Sequence, residues 1–489
     1  MLFNSYIFVL LFLPLTVMIY HLINKHGHYT AAKLFLLGMS LWFYCYTKPE
    51  NVLVLLLSIV FNYLVSLLFK KLEKNSVKKL TLFLSVTVNL ALLIYFKYTG
   101  FLVTVVNDLS GSSFSVENLL LPMGISFFTF SQISFLVDSY RDPDSSYSLL
   151  DYALFISFFP KIAQGPIAFA KEMIPQFNDS LRKTLNYENM AKGIMIFSFG
   201  LAKKVLIADQ MAKMADWGYT NLNLVDSSLA LITILAYTMQ IYFDFSGYCD
   251  MASGICLMIN IELPVNFDSP YRALSINEFW KRWHITLTRF FRNYVYFPLG
   301  GSRKGAFRTY LNIFIIYLLS GIWHGANYTF ILWGVIYGIG MCISKAISPV
   351  TQKLPRVLRF IMTFSFVNFA WIFFRAATVE NALHLIKTLF SFTFKPIPAD
   401  FIVKSLPVET ELLQWILNEQ FPGSTNISGM IFILIWLIFA IVASIAFKNP
   451  IERAKNFKPK GSSVIVTVIL LVWSVLSLSE VSTFIYTNF

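Results

Sequence analysis

The sequence predicts an all-α, polytopic integral membrane protein. Of its 489 residues, 56% are hydrophobic and only 13% are charged, whereas soluble domains carry about 25% charged residues. Apolar segments recur from Leu2 to Tyr486, and no long hydrophilic block separates them. We therefore expect residues 1–489 to form a single membrane domain.

The net charge of +13 suggests an anionic partner. The lysines and arginines lie in short runs beside apolar segments, where topology signals and contacts with anionic lipids are found. We therefore expect membrane lipids, and no nucleic acid, as partners. The four cysteines form no CxxC pair, and His26 and His28 have no third ligand nearby. These patterns predict no metal site and no disulfide framework.

Apolar stretches that could cross or enter the bilayer were judged against about 20 residues for a full span. They are residues 4–23, 33–47, 51–69, 80–97, 118–137, 150–169, 189–207, 227–245, 308–320, 328–345, 358–375, 429–447 and 463–479. The pattern predicts roughly 11–13 helices. Several stretches are too short to cross alone, so we expect them to be re-entrant or buried among other helices, where backbone polar groups can be satisfied.

Basic loops predict the orientation in the membrane. The loops expected to be cytoplasmic are residues 24–33, 70–79, 345–359 and 448–460. Both termini and residues 376–428, which carry an acidic portion from Glu409 to Glu419, then lie outside. The first apolar stretch has neither a basic leader nor an A-x-A cleavage site, so it is predicted to be an uncleaved span of a multi-pass plasma (inner) membrane protein.

Residues 263–308 form the most unusual segment. Between Arg272 and Arg308 it carries eight basic residues and one acid, Glu278, interleaved with aromatic residues. One interpretation is an amphipathic segment that lies on anionic lipid. The other is a cytosolic docking surface for a phosphate-bearing thioester, which the unexplained imidazole of His284 favours. In that second interpretation the donor-binding residues are Arg282, Gly300, Gly301, Arg303 and Lys304.

His324 is the candidate catalytic residue. The apolar run from Thr309 to Ser320 would extend only about 18 Å as a helix, against a bilayer core of about 30 Å, so His324 is expected within the membrane depth. Gly321 and Gly325 permit a helix break and a close approach by substrate. Burial without an anionic partner would keep the imidazole in the neutral form that a general base needs. The alternative is a histidine that only hydrogen-bonds between helices.

Polar residues also interrupt the apolar stretch TMQIYFDFSGYCDMA. Gln240 and Asp244 are four residues apart and share a face of a continuous helix. Carboxylates within a membrane usually face the interior of the bundle. Asp244 could therefore orient a catalytic histidine or brace the helix packing, and both interpretations remain open.

Several long motifs together resemble the membrane-bound O-acyltransferase family, and within it the bacterial branch of alginate O-acetyltransferases and related polysaccharide acetylation proteins. The motifs are MGISFFTFSQISFLVD, DYALFISFFPKIAQGPI, GLAKKVLIAD, YFDFSGYCDMA, LPVNFDSPYRALSINEFWKRWHITLTRFFRNYVYFPLGG and SGIWHGANYTFILWG. The resemblance implies a ring of helices around a thin centre, with a funnel on each side. The funnels would meet at an invariant histidine, which falls on His324. The second family histidine falls on His284, and Trp323, Asn266 and Asp268 are expected to support the site.

The resemblance also implies the chemistry. The donor would be a cytosolic thioester, either acetyl-CoA or an acyl-carrier protein that delivers D-alanine, with no cofactor held permanently. A separate SGNH esterase-like transferase outside the cell would finish the modification of a polysaccharide. His324 would act as a general base, although an acyl-histidine intermediate stays open. A transporter, or an export-complex scaffold without acyl chemistry, is the alternative class.

The C-terminal tail, residues 484–489, has two interpretations. Its sequence FIYTNF could anchor an aromatic end at the membrane interface. It also resembles the FIY-x-x-F ending of the small single-span peptide in teichoic-acid D-alanylation. That resemblance implies that Tyr486 enters the outer funnel and relays the acyl group as a phenyl ester.

Overall fold

The computed structural model describes residues 1–46, 49–116, 119–144, 147–406, 425–455, 461–478 and 482–488. Within these ranges the chain forms helices and no β-strand, which confirms the all-α prediction. Eight helices among the described residues are long and apolar enough to cross a membrane. They are Phe8–Lys25, Pro49–Lys71, Asn75–Ser110, Ser227–Met258, Ala306–His324, Tyr328–Ala346, Arg356–Arg375 and Ile427–Ala446. The protein is therefore a multi-pass membrane protein.

The helices are numbered here along the described chain. Those of the first half are α1 (Leu13–Lys25), α2 (Tyr29–Cys45), α3 (Val52–Lys71), α4 (Asn75–Ser110), α5 (Ile125–Arg141), α6 (Leu149–Ser157), α7 (Phe159–Ile162), α8 (Ala170–Asn178), α9 (Tyr187–Ala202), α10 (Asp209–Thr220) and α11 (Ser227–Met258). Those of the second half are α12 (Ile276–Arg282), α13 (Ile285–Phe291), α14 (Ala306–His324), α15 (Tyr328–Ala346), α16 (Ser348–Thr351), α17 (Arg356–Arg375), α18 (Val379–Leu389), α19 (Ala399–Ser405), α20 (Thr425–Ala446), α21 (Pro450–Lys455) and α22 (Gly461–Leu476).

Helix α11 lies at the centre of the fold. Its most apolar window is 83% buried, the largest share of any candidate span. The helix is apolar on every side, as expected of a helix surrounded by other helices. It packs against α9, α10, α17 and α18, and it carries Gln240 and Asp244 on one continuous helix.

Glycines bring the backbones of α9 and α11 into direct contact. A Cβ atom added to Gly200 would lie 2.7 Å from the carbonyl oxygen of Gly247, and one added to Gly193 would lie 2.7 Å from that of Gly254. No real Cβ atom fits at such distances. The contact is reciprocal, because a Cβ on Gly247 or Gly254 would meet α9 equally closely. Small residues permit such close packing of membrane helices.

A π-helical turn, Lys203–Ala208, continues α9 beyond this contact. It directs two lysines at acidic residues of α11. The ammonium of Lys203 lies 2.6 Å from a carboxylate oxygen of Asp250, and that of Lys204 lies 2.7 Å from Asp244. Buried charges of this kind are tolerated inside a membrane protein because each one has a partner.

Helix α14 differs from the sequence prediction. We expected a short helix that ends at Ser320, but α14 continues to His324. Its 19 residues extend about 28 Å, nearly the thickness of a bilayer core. His324 is therefore not placed at membrane depth by a short helix, contrary to the prediction. Glycines again allow close packing, since a Cβ on Gly334 of α15 would lie 2.7 Å from the carbonyl oxygen of Tyr317.

The predicted outer region, residues 376–428, is described in part. It begins with the amphipathic helix α18 and the short helix α19. The predicted acidic portion from Glu409 to Glu419 lies outside the described residues, as do residues 456–460 of the last basic loop. The orientation in the membrane stays a prediction.

The close contact of α9 and α11 gives a first prediction. Gly247→Ala should lower the free energy of unfolding by about 1–3 kcal/mol, because the new methyl group meets the backbone of α9. The matched control is Gly100→Ala in α4, where a Cβ meets nothing within 4 Å; there alanine should stabilise the helix by about 0.5–1 kcal/mol. Thermal unfolding in detergent measures both variants. Equal melting temperatures would contradict the packing argument.

Candidate active site

His324 is the last residue of α14, and its side chain is enclosed by aromatic rings. The residue is 2% exposed. Its ring centroid lies 5.2 Å from that of Trp333, 5.1 Å from Phe374 and 4.9 Å from Trp323. The helix ends here because Gly325 has an extended backbone. Neither imidazole nitrogen has a hydrogen-bond partner among the described residues.

His284 occupies the break between α12 and α13. Its backbone is left-handed, with φ at 44°, a conformation that costs a non-glycine residue about 1–3 kcal/mol and clusters at functional sites. Its Nδ1 lies 3.2 Å from Oδ1 of Asn266. That oxygen also accepts hydrogen bonds from the backbone N–H and the hydroxyl of Thr286, at 3.2 and 2.8 Å.

These hydrogen bonds determine the form of the His284 ring. A backbone N–H can only donate, so the shared Asn266 atom is an acceptor, and Nδ1 of His284 must carry the proton. The lone pair then lies on Nε2, which has no partner among the described residues. Burial lowers the pKa of His284 to about 3. The imidazole is therefore neutral at physiological pH.

The C-terminal tail brings Tyr486 against both histidines. The tail ends in a single 3₁₀ turn, Ile485–Asn488, and Tyr486 is 5% exposed. The centroid of its ring lies 5.7 Å from that of His324 and 6.5 Å from that of His284. Phe245 of α11 supports the ring from 4.4 Å. The aromatic tail is thus inside the protein and does not lie along its surface.

A buried ion pair holds this tail. The ammonium of Lys204 lies 2.7 Å from Asp244 and 2.8 Å from Asp209, and it donates a hydrogen bond to the carbonyl oxygen of Thr483 at 3.1 Å. The second carboxylate oxygen of Asp244 accepts from the backbone N–H of Ile485 at 3.0 Å. Both members of the Lys204–Asp244 pair have side chains only 2% exposed. We call this arrangement the tail clamp.

Two roles were predicted for Asp244: to orient a catalytic histidine or to brace the helix packing. Its hydrogen bonds go to Lys204 and to the tail, and no described hydrogen bond joins it to a histidine. The interpretation that it orients a catalytic histidine has no support among the described hydrogen bonds, and the bracing interpretation fits the contacts. Gln240, one turn earlier on the same helix, is 8% exposed and likewise makes no described hydrogen bond to either histidine.

Two other predicted residues lie outside the buried centre. Asp268 has a side chain that is 50% exposed, and it pairs with Arg282 at 3.0 Å. Arg282 also reaches Glu278 at 3.1 Å. A guanidinium that already binds two carboxylates is poorly suited to bind a phosphate, so the prediction that Arg282 binds the donor is not supported.

The predicted GGSRK loop forms an exposed turn. Gly300 and Gly301 have φ angles of 98° and 56°, which favour glycine, and Asn312 donates a hydrogen bond to the carbonyl oxygen of Gly301 at 2.9 Å. Arg303 and Lys304 are exposed. None of the four loop residues lines the cavity that includes Tyr317 and Ser320 of α14.

That cavity has a volume of about 440 Å³ and lies between α12, α14 and α15. Its inner end is formed by Trp280, Tyr317 and Ser320, one helical turn before His324. The basic residues that line it are Arg292, Lys345 and Arg359. None of these three makes an ion pair with a described carboxylate. They were not predicted as donor-binding residues because Arg292 lies in the segment 263–308, whereas Lys345 and Arg359 lie at the two ends of the basic loop 345–359.

Lys97 is a further residue that the sequence analysis missed. It lies in the apolar helix α4, and its ammonium donates to the carbonyl oxygens of Trp323 at 2.6 Å and His324 at 3.1 Å. The hydroxyl of Tyr98 donates to the carbonyl oxygen of Ile322 at 2.6 Å. Carbonyls at the end of a helix have no partner within the helix, so these bonds fix the end of α14. A lone lysine within an apolar span was the available signal.

The fold is that of a multi-pass membrane protein whose buried centre contains two histidines. Residues 36–383 match the MBOAT, membrane-bound O-acyltransferase family. The chain belongs to this family and is an acyltransferase, which confirms the resemblance and excludes the transporter and scaffold alternatives.

Three relatives illustrate the range of the family. The chain is 43% identical over 417 residues to the peptidoglycan O-acetyltransferase of Helicobacter pylori, covering 79% of each protein. It is 38% identical over 401 residues to the probable alginate O-acetylase AlgI of Pseudomonas aeruginosa, covering 80% of this chain and 75% of the relative. It is 27% identical over 278 residues to the teichoic acid D-alanyltransferase of Bacillus subtilis, covering 53% and 69%.

The contacts of Lys97 predict a positioning role. Lys97→Met should lower kcat for acyl transfer by about 10–100-fold, because misplacing a catalytic group by about an ångström has this cost, while KM for the donor changes little. The same substitution at Lys79, an exposed lysine of the same helix, is the control and should retain full activity. Steady-state kinetics of the purified variants give both parameters. A change in KM alone in Lys97→Met would contradict the positioning role.

Proposed function

We propose that this protein takes an acetyl group from cytosolic acetyl-CoA and transfers it, through Tyr486, towards an extracytoplasmic polysaccharide. The observation that carries the proposal is the contact between the rings of Tyr486 and His324 at 5.7 Å, one helical turn beyond a cavity that contains unpaired basic residues. The protein would act in the plasma (inner) membrane, with this cavity on its cytosolic side.

The first transfer would occur at His324. A ring nitrogen with a lone pair removes the proton from the phenol of Tyr486, and the phenolate oxygen attacks the carbonyl carbon of the thioester. A carbon–oxygen bond forms as the carbon–sulfur bond breaks, and the leaving thiolate takes the proton from the imidazolium. A phenol, with an ordinary pKa near 10, is easier to deprotonate than an alcohol and is a better leaving group in the next transfer.

His284 would assist from beside the tyrosine ring, 6.5 Å away between ring centroids. Its Nδ1–H is occupied by Asn266, so only the lone pair of Nε2 faces new partners. That lone pair can accept a hydrogen bond from a hydroxyl or from a bound water. His284 would therefore orient the phenol or a water in the centre, whereas the base itself is His324.

Acetyl-CoA is favoured over a carrier protein by the charge of the cavity. Arg292, Lys345 and Arg359 line it without carboxylate partners, and guanidinium and ammonium groups bind phosphate strongly. Coenzyme A carries three phosphate groups, whereas the phosphopantetheine arm of a carrier protein carries one. Three cations match the coenzyme better.

The acceptor is inferred from the relatives. Peptidoglycan and alginate, named for the two acetyltransferases above, are both polysaccharides. We infer that an acetylated Tyr486 would pass its group to a polysaccharide outside the cell, with a separate SGNH esterase-like transferase as the partner. Release of the acetyl group to that partner breaks the phenyl ester and regenerates the phenol.

His324 supplies the most direct test of acyl transfer. His324→Gln keeps a side chain of similar size but removes the base, so acetyl transfer should fall by about 10²–10⁴-fold at unchanged protein abundance. His384→Gln, at an exposed histidine of α18, is the control. The measurement is the acetate that mild alkali releases from the cell-envelope polysaccharide. Near-normal acetylation by a well-expressed His324→Gln protein would refute the assignment.

The donor cavity is tested with two pairs of variants. Arg359→Gln and Lys345→Gln should each raise KM for acetyl-CoA by about tenfold, the effect of losing one charge-assisted hydrogen bond of about 1.4 kcal/mol. Arg303→Gln and Lys304→Gln should leave KM unchanged, since both residues lie outside the cavity. The opposite pattern would assign the donor to the GGSRK loop. Faster transfer from an acylated carrier protein than from acetyl-CoA would reject the coenzyme.

The tyrosine relay is tested by removing one oxygen atom. Tyr486→Phe keeps the ring contacts and the melting temperature but removes the nucleophile, so polysaccharide acetylation should be lost. Tyr46→Phe, at an exposed tyrosine, is the matched control. In the wild type without its extracytoplasmic partner, mass spectrometry of the C-terminal peptide should find an acetyl group on Tyr486. Full activity of Tyr486→Phe would rule out the relay.

A further inference from the structure

A second cavity, separate from the site described above, lies between α1, α9 and α22. Its volume is about 990 Å³. Its walls are mainly apolar, and they include Val9, Leu13, Val17, Ile194, Phe197 and Leu471. Nothing in the proposed acyl transfer uses this space.

The cavity opens on the side of the helices that faces the bilayer. Met18 and Leu22 of α1 line it and are 60% and 53% exposed, and Ile194 of α9 is 38% exposed. Exposed apolar side chains on membrane helices are covered by lipid. The opening is therefore accessible to a molecule that is already dissolved in the membrane.

One end of the cavity is basic. Lys25, at the end of α1, and Lys183, before α9, both line it, and neither makes an ion pair with a described carboxylate. Lys183 is only 4% exposed, and its ammonium donates to the carbonyl oxygen of Phe177 at 2.6 Å. The carboxylates of Asp151 and Asp179 act on this ammonium from beyond ion-pair distance. An anion bound beside Lys183 would offset the remaining cost of burying its charge.

The basic end is built from fixed contacts. Asn260, with a left-handed backbone at φ 60°, donates hydrogen bonds to the carbonyl oxygens of Arg182 at 3.2 Å and Thr184 at 2.7 Å, on either side of Lys183. His21 donates from Nε2 to the carbonyl oxygen of Met258 at 2.8 Å. Its Nδ1 is buried and has no partner among the described residues, so it can accept a hydrogen bond from a ligand hydroxyl.

We propose that this cavity binds one anionic phospholipid. Its phosphate pairs with Lys25 and Lys183, a head-group hydroxyl donates to Nδ1 of His21, and an acyl chain lies along the apolar wall towards Leu471. The lipid thereby bridges the first span, α9 and the last helix, which leads into the C-terminal tail.

Other occupants fit less well. A spanning helix would cover the apolar wall but brings no anion to Lys25 and Lys183. Free phosphate would satisfy the lysines but leave the apolar wall uncovered. A zwitterionic lipid fills the wall but brings a positive group to a basic site. An anionic lipid satisfies both ends.

Native mass spectrometry of the full-length protein in detergent tests the proposal. Phosphatidylglycerol and phosphatidylcholine with identical acyl chains are titrated separately. We expect phosphatidylglycerol to bind about tenfold more tightly than phosphatidylcholine, because a tenfold difference corresponds to one charge-assisted contact of about 1.4 kcal/mol. Lys25→Gln should remove most of this preference, whereas Lys70→Gln, at an exposed lysine of α3, should retain it.

A second variant tests the acyl-chain part of the cavity. Ile194→Trp fills the opening and should weaken binding of both lipids by about tenfold or more, while thermal unfolding confirms that the partly exposed position tolerates the ring. Equal affinity for the two lipids, or an unchanged preference in Lys25→Gln, would overturn the proposal. Displacement of phosphatidylglycerol by millimolar inorganic phosphate alone would also overturn it. So would a small membrane protein that is bound to the wild type and is lost from Ile194→Trp.

Discussion

The contact between Tyr486 and His324 depends on the buried ion pair of Lys204 and Asp244. Two charges inside a membrane protein are stable only when they are paired and their remaining hydrogen-bonding positions are satisfied. Here the remaining positions are filled by the backbone of the C-terminal tail, through Thr483 and Ile485. The backbone of the tail therefore stabilises the two buried charges, and the position that it takes there brings Tyr486 against His324.

The ion pair in turn depends on glycine. α9 and α11 approach so closely at Gly200 and Gly247 that no side chain fits between them, and the π-helical turn that follows aims Lys204 at Asp244. The same principle applies to α14, where Gly334 of α15 permits close packing and Lys97 binds the carbonyls of the terminal turn. In both places a buried polar group is satisfied by a residue from a distant segment.

Much of the fold and the reaction centre could be predicted from the sequence. His324 and His284 stand out locally, because each is an imidazole in an apolar or basic setting. Tyr486, one of 24 tyrosines, was indicated only by the resemblance of the tail. The structure brings the three rings together. The partners of charged residues could not be predicted in this way. Asp244 pairs with Lys204, forty residues earlier in the chain, and Arg282 is neutralised by Asp268 and Glu278. Ion pairing depends on tertiary packing. The local sequence therefore did not indicate that Arg282 is paired with carboxylates, or that Arg292, Lys345 and Arg359 make no ion pair with a described carboxylate.

The covalent connection of the tail to the last helix has a kinetic consequence under the proposed relay. A tethered nucleophile is present at an effective concentration in the millimolar range or above without any binding step of its own. Each molecule then has one carrier group, which must be emptied before it can be loaded again. Donor and acceptor would therefore react in alternating half-reactions of ping-pong type, and the rate of unloading outside the cell would limit how fast acetyl-CoA is consumed inside it.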